Sequence, residues 1–267
     1  MNQLNLQAIQ MYQVDAFSNK VFQGNPAAIC IMEGELPDAV MQSIAAENNL
    51  AETAFVWKRN GHYKIRWCTP TIEVDLCGHA TLASAYVLFE KYGILEKTIR
   101  FDSRSGDLFV TKSEDGKLYL DFPVDQIKDV ETPSGLIDAL GTEVLNCIKG
   151  KTDYLVEIGS ESLLRSISPD FHEISKLNSR GLIVTAPGDK VDFVSRCFFP
   201  QSGILEDPVT GSAHTTLTPY WATKLEKSVF LARQISSRGG DLTCELKGDR
   251  VLIGGNAVLF FEGKIFV

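Results

Sequence analysis

Four side chains in this sequence have types and neighbours that suit proton transfer: Glu52, Cys77, His79 and Asp207. Glu52 stands in NNLAETAFV, a short stretch of low charge just ahead of an apolar run. A carboxylate there is partly desolvated, which moves its pKa towards neutrality and lets one group both accept and donate a proton. Cys77 and His79 lie in DLCGHATLA, where a helix is expected to begin. Unpaired N–H groups at a helix start disfavour an imidazolium, so a neutral imidazole is free to hydrogen-bond a ligand, and they lower the pKa of a thiol. Asp207 precedes a second such start in LEDPVTGSAH. Each residue has a plainer alternative. Glu52 could be a solvated acid at a strand end, His79 a core imidazole held by backbone, Asp207 a helix cap and Cys77 a small hydrophobe. Together, Glu, His and Asp beside two helix starts describe a site for a small carboxylate-bearing molecule and a proton transfer.

The elements that must position these residues are organised around Glu73 to Gly93. No charged side chain falls between Asp75 and Glu90, and the apolar residues from Ala80 to Phe89 point in every direction around a 3.6-residue turn. A helix apolar all round is buried on all sides. About fourteen residues at ~1.5 Å each make it roughly 21 Å long, the depth of a small domain and too short for a membrane. Gly93 is its expected stop. A second uncharged stretch runs from Asp207 to Lys224, with a helix expected from Gly211 and a kink or shortening at Pro219. The two Gly-x-Ala starts lie 133 residues apart (78 and 211), half the chain of 267. A strand-rich half built on one buried helix is therefore expected twice.

Around these helices the pattern is mostly strand. Strands are expected over Tyr12–Phe17 and in GNPAAICIM, and an Asn60-Gly61 hairpin joins AFVWK to YKIRWCT. Pro37 opens a short helix, and alternating strands fill 98–124. The loosened stretch from Asp125 to Pro133 is the expected linker. Further on come a short helix in SGLIDALG, strands around Gly150-Lys151, a helix within ESLLRSISPDFHEISKL, and tail strands with a Glu262-Gly263 turn in the last. The expected class is α+β, with two pseudo-symmetric halves, each an antiparallel strand barrel around its helix. The first half is expected over 1–125, with the final strand at 256–267 returning to it, and the second over 126–255.

Bulk composition excludes several functions. The net charge of −8 offers nothing to nucleic acid or an anionic membrane. No apolar run reaches the length of a membrane span, and the N-terminal stretch lacks the basic and apolar regions of a signal peptide. Six scattered cysteines form no CxxC, which favours buried reduced thiols in a cytoplasmic protein over disulfides or zinc. Phosphate-loop, dinucleotide-loop, serine-elbow and metal-spacing motifs are missing from the sequence.

DAFSNKVFQGNPAAIC (15–30), NNLAETAFV (48–56), IRWCTPTIEVDLCGHATLASAYVLF (65–89) and GILEDPVTGSAHTTLTPYWATKL (203–225) occur in that order, with SSRGGDL (236–242) a weaker match. In these motifs the chain resembles the phenazine-biosynthesis isomerase (PhzF-like) family, which has the diaminopimelate-epimerase-like fold. The resemblance implies two similar halves, each a strand barrel wrapped on a central helix, with a ligand cleft between them. It implies a cofactor-independent isomerase of the kind that moves a proton along the ring of a dihydro-hydroxyanthranilate. Glu52 would shuttle that proton, and His79 and Asp207 would help hold the substrate. Asn25, Cys77, Gly78, Thr210, Gly211 and Ser212 would bind it, with backbone at Gly78 and at Gly211-Ser212 on its carboxylate. No metal is implied, and the partners expected are a small carboxylic acid and a second copy of the chain.

One departure bears on mechanism. Diaminopimelate epimerases use one cysteine from each half; Cys77 matches the first, but the second position falls near Pro208, which cannot act as a base. Two alternatives accompany the isomerase reading. One is an amino-acid epimerase or racemase working through Cys77, with Glu52 or Asp207 as second base. The other is a non-catalytic, dimeric binder of small acids.

Overall fold

The computed structural model describes residues 7–267; residues 1–6, where the N-terminal stretch read above begins, lie outside the described residues. The chain divides into two units, Met1–Leu120 with Gly255–Val267, and Asp121–Gly254. The first contains β1 (Ala8–Ala16), β2 (Asn25–Met32), α1 (Asp38–Asn48), β3 (Glu52–Arg59), β4 (His62–Cys68), β5 (Glu73–Val74), α2 (Gly78–Lys91), β6 (Thr98–Ser103) and β7 (Gly106–Lys112). A further strand, β8 (Leu118–Pro123), runs across the division. The second unit contains β9 (Lys128–Asp129), α3 (Leu136–Leu140), β10 (Asn146–Lys149), β11 (Asp153–Glu157), α4 (Glu161–Ser166), α5 (Phe171–Ser175), β12 (Gly181–Pro187), β13 (Phe193–Phe199) and β14 (Ile204–Asp207). After these come α6 (His214–Leu225), β15 (Val229–Gln234), β16 (Gly240–Lys247) and β17 (Arg250–Gly255), and the last strand, β18 (Ala257–Phe266), belongs to the first unit.

In the first unit α2 is buried on nearly every side, from His79 to Ala85 and from Val87 to Phe89. It packs against β1, β2, β3, β7 and β18. Two hydroxyls on this dry helix are satisfied by its own backbone: Thr81 Oγ1 donates to the Cys77 carbonyl at 2.6 Å and Ser84 Oγ to that of Ala80 at 2.7 Å. At the far end Gly93 has φ +61, and Ile94 N–H returns to the Leu88 carbonyl, closing the helix where the sequence places its stop. Type I′-like geometry at Asn60 and Gly61 (φ 50 and 83) joins β3 to β4.

The strands of the first unit run in the order β18, β1, β2, β3, β4, β6, β7, β8. All pairs are antiparallel except β2–β3, which α1 bridges, and β4–β6, which α2 bridges. The second unit repeats this order of strand pairings, with two short helices where the first unit has α1. Antiparallel β10–β11 leads through α4 and α5 to parallel β12, then to antiparallel β13 and, through α6, to parallel β15. Antiparallel β16 and β17 complete it. The half-length repeat in the sequence is thus a repeat of topology.

Several local expectations are revised. The helix expected within ESLLRSISPDFHEISKL is two helices separated around Pro169, because a proline cannot supply the N–H that a continuous helix would need there. The stretch 125–133 holds the short strand β9, paired with β10. The second helix begins at His214 because Gly211, Ser212 and Ala213 form a tighter turn, in which His214 N–H bonds the Gly211 carbonyl. Pro219 sits inside this helix without ending it. The carbonyl that Pro219 cannot serve, that of Thr215, accepts the Asp125 N–H at 3.2 Å instead. Glu262-Gly263 is not a turn: β18 continues through it and absorbs one extra residue in a bulge opposite Gln13 and Val14.

Gly24, at the entry to β2, has φ +71, and a side-chain carbon there would lie 2.1 Å from the Ala16 carbonyl oxygen. Both the backbone conformation and the close approach require glycine. Gly24→Ala is expected to destabilise the protein by about 2 kcal/mol or more, read as a lower midpoint in urea denaturation at unchanged slope.

Candidate active site

Glu52 is the first residue of β3, and Ala27 of β2 lies opposite it in the parallel register, so Asn25 at the start of β2 is brought to the same end of the sheet. Asn25 is wholly buried. The start of α2 supplies Cys77 and His79, both buried. His79 Nε2 stands 3.3 Å from a Glu52 carboxylate oxygen, with side-chain exposures of 8% and 14%. On the other side of the ring, Nδ1 stands 3.5 Å from Cys77 Sγ. Nε2 is close to Glu52 without hydrogen-bond alignment, so the contact is a juxtaposition that a small rotation of the ring converts into a bond.

Burial pushes the His79 pKa down from 6.5 to about 3. The imidazole is therefore neutral at physiological pH, as expected at a helix start, but desolvation is the cause. With one ring proton, the arrangement that serves both neighbours is Cys77 S–H to Nδ1 and Nε2–H towards the Glu52 carboxylate. One donor atom each from Glu52, Cys77 and His79 lies within 4.8 Å of the others. In type these are metal donors, but the two ring nitrogens face different partners, Nδ1 the Cys77 thiol and Nε2 the Glu52 carboxylate. Cys77 does not cap the helix with its side chain. The first-turn N–H groups of α2, beginning at Gly78, thus lack intrahelical acceptors beside these three side chains.

In the second unit Asp207 ends β14 opposite Cys197 of β13. Asp207 is buried and accepts a short hydrogen bond from Thr210 Oγ1. Gln234, fully buried on β15, holds the loop between them: its amide N–H donates to the Asp207 carbonyl at 2.7 Å and its oxygen accepts the Thr210 N–H at 2.8 Å. Gly211 and Ser212 follow in the turn that starts α6, where the Arg180 guanidinium stands 3.5 Å from Ser212 Oγ while chelating Asp153. His214 Nδ1 lies 2.9 Å from the Thr210 carbonyl, which makes it the donor and leaves Nε2 as a buried acceptor. Burial lowers the His214 pKa from 6.5 to about 4 against the opposing effect of that hydrogen bond.

The structure therefore assembles Asn25, Glu52, Cys77, Gly78 and His79 in one unit, and Asp207, Thr210, Gly211 and Ser212 in the other. Gln234, His214 and Arg180 were not singled out from the sequence. His214 had a signal, as the histidine of GSAH opening an uncharged stretch; Gln234 sits in an ordinary alternating strand and had none. All six cysteines are free and buried. Among the described residues no helix is long and apolar enough to cross a membrane.

A family model described as phenazine biosynthesis-like protein (PhzC-PhzF) matches residues 14–263. The chain belongs to this family. Over 257 residues it is 48% identical to an uncharacterized isomerase of Pseudomonas aeruginosa, covering 96% of this chain and 98% of that one. A crystal structure of a PhzF-family phenazine biosynthesis protein from Enterococcus faecalis superposes with a TM-score of 0.95 at 49% identity, covering 98% of this chain and all of that one. The fold extends to a predicted epimerase of Pseudomonas aeruginosa, at TM-score 0.74 and 19% identity over 96% of this chain and 99% of the other. The architecture is the α+β, diaminopimelate-epimerase-like one.

Both buried imidazoles have folded pKa values below that of a free histidine. Between about pH 6.5 and pH 3–4 the unfolded chain binds protons that the native state excludes. Stability is thus complete above this window and is lost as pH falls through it. In His214→Asn the amide can replace Nδ1–H as donor to Thr210 while one titrating group is removed. The drop in Tm between about pH 7 and about pH 4.5 is expected to be smaller in the variant than in wild type, by differential scanning calorimetry; equal drops would contradict the assignment.

Proposed function

We propose that this protein is an isomerase that moves a proton within a small cyclic or unsaturated carboxylic acid, with Glu52 as the single acid/base. The observation that carries the proposal is the buried trio Cys77, His79 and Glu52 at the start of α2. Membership of a family whose relatives include a named isomerase supports the reaction class. The reading is similar to trans-2,3-dihydro-3-hydroxyanthranilate isomerisation in chemistry, and the acid itself is left open.

In this mechanism the substrate carboxylate is held by backbone N–H groups at the start of α2, beginning at Gly78, where a helix start favours an anion. The Glu52 carboxylate takes a proton from a carbon next to the unsaturated system. The C–H electron pair passes into the π system, the double bond shifts, and the now protonated Glu52 returns the same proton to a carbon further along. No atom is gained or lost, and Glu52 ends as it began. His79 is suited to orient Glu52 without competing for its cargo, because an imidazole with a pKa of about 3 does not retain a proton at neutral pH. Asn25, wholly buried at the start of β2, would bind a polar substituent of the substrate, and Asp207, with its acceptor geometry set by Thr210 and Gln234, is kept as a proposed binding residue.

Two sets of variants test these roles. A screen of small carboxylic acids by thermal shift identifies a ligand, since binding to the native state raises stability. On that substrate Glu52→Gln is expected to keep binding and lose turnover by about 10²–10⁴-fold, whereas Cys77→Ala retains most activity and shows mainly a packing loss. Turnover in Glu52→Gln within about threefold of wild type would remove Glu52 as the base. Solvent-deuterium exchange at a substrate α-carbon that vanishes in Cys77→Ala would favour the epimerase alternative. Asp207→Asn is expected to raise KM by about tenfold or more while changing kcat less, measured by steady-state kinetics; an unchanged KM would take Asp207 out of the binding set.

A further inference from the structure

Glu52, Cys77 and His79 are also three kinds of side chain that hold a soft metal ion. One donor atom of each lies within 4.8 Å of the others. Clusters of exposed acids are common without any ion, but here a thiol, an imidazole and a carboxylate meet in the dry interior. Cys77 and His79 are each 6% exposed, and the Glu52 side chain 14%. His79 Nε2 makes no hydrogen bond among the described residues, and a buried polar atom of that kind calls for a partner.

The spacing is close to that around a bound ion. Ligand atoms about 2.0–2.3 Å from a tetrahedral zinc stand roughly 3.3–3.6 Å from one another. Cys77 Sγ lies 3.5 Å from one ring nitrogen, and a Glu52 oxygen 3.3 Å from the other. Only one nitrogen can ligate, so the widest gap within the trio must close by about 1.2 Å at most. Side-chain rotation supplies a shift of that size. Charge points the same way. A thiolate and a carboxylate together balance a divalent ion and leave the buried cluster neutral, whereas an unpaired anion is costly to bury. On binding, the Cys77 thiol gives its proton to solvent, and the neutral ring keeps its own on the nitrogen that does not ligate. Mg²⁺ and Ca²⁺ want several oxygen ligands, of which the trio offers one carboxylate; a thiolate with an imidazole selects Zn²⁺.

We propose that Glu52, Cys77 and His79 bind Zn²⁺ reversibly, with the fourth position left to water, and that the occupied protein is switched off. The switching rests on the reading of Glu52 as the acid/base, since a carboxylate committed to the ion cannot shuttle a proton. The binding does not rest on it. Cys77, which the proton transfer itself does not need, thereby has a function of its own.

Anaerobic titration of the metal-free full-length protein with Co²⁺, followed by absorption spectroscopy, reads the site without any substrate. Wild type is expected to show a thiolate-to-cobalt charge-transfer band in the near ultraviolet and the strong visible bands of a four-coordinate ion. Zn²⁺ is expected to erase both, with an affinity of about 1 μM or tighter. Losing a group behind a ligand weakens metal binding about 10–100-fold, so losing a ligand in Cys77→Ser or Glu52→Gln is expected to weaken it by about a hundredfold or more. Circular dichroism verifies that both variants are folded. A wild type without the charge-transfer band, a band that survives in Cys77→Ser, or a Glu52→Gln variant that binds Zn²⁺ as tightly as wild type would each overturn the site. On the acid found by the thermal-shift screen, Zn²⁺ is expected to stop wild-type turnover and a chelator to restore it. Full turnover by zinc-loaded protein would overturn the switch and remove Glu52 as the base, while the metal site itself stood on the cobalt spectrum.

Discussion

The first unit depends on one constraint: α2 has no face for water. An uncharged helix of this kind must be enclosed, and β1, β2, β3, β7 and β18 enclose it. Enclosure then dictates details that look incidental in the sequence. Thr81 and Ser84 can occupy the dry interior only because each hydroxyl bonds the carbonyl one turn back. At the helix start the first-turn N–H groups have no intrahelical acceptors, and it is there that Cys77 and His79 bring chemistry. Glu52 is placed by the same enclosure, since β3, which it opens, is one of the strands laid against the helix.

Low dielectric links the site to the stability of the whole. His79 and His214 are both deeply buried at the starts of the two long helices, one in each unit, and burial holds each imidazole neutral. The groups differ in how they are satisfied. His214 donates to the Thr210 carbonyl and thereby stiffens the loop carrying Asp207, whereas His79 is suspended between a thiol and a carboxylate. The first arrangement is structural in character and the second is poised, in that modest rotation changes which partner is served.

Much of this fold is legible in the residues. The charge gap from Asp75 to Glu90, the stop at Gly93 and the Asn60-Gly61 hairpin each follow from local chemistry that the tertiary structure leaves intact. The half-length repeat is legible too, although only its helix starts resemble one another in sequence. What is not legible depends on distant partners. Pro219 reads as a helix breaker, and nothing near it reveals that Asp125, far back in the chain, will take up the orphaned Thr215 carbonyl. Glu262-Gly263 reads as a turn because β1, the strand that keeps it extended, is some 250 residues away. In the site, Glu52, His79 and Asp207 attract attention as ionisable groups in apolar company, but Gln234 is a neutral side chain whose role exists only once β15 is folded beside the Asp207 loop.

The path of the chain has a consequence for its synthesis. The second unit is one continuous segment, while the first is interrupted by it and needs β18 to cover one edge of β1. On a ribosome the first unit emerges early, yet it must wait with β1 and the flank of α2 uncovered until the final thirteen residues, 255–267, appear. The unit made second is thus the first able to complete itself. Premature termination shortly before residue 255 would strand a finished half attached to an unfinished one, with a long strand edge open to the wrong neighbour.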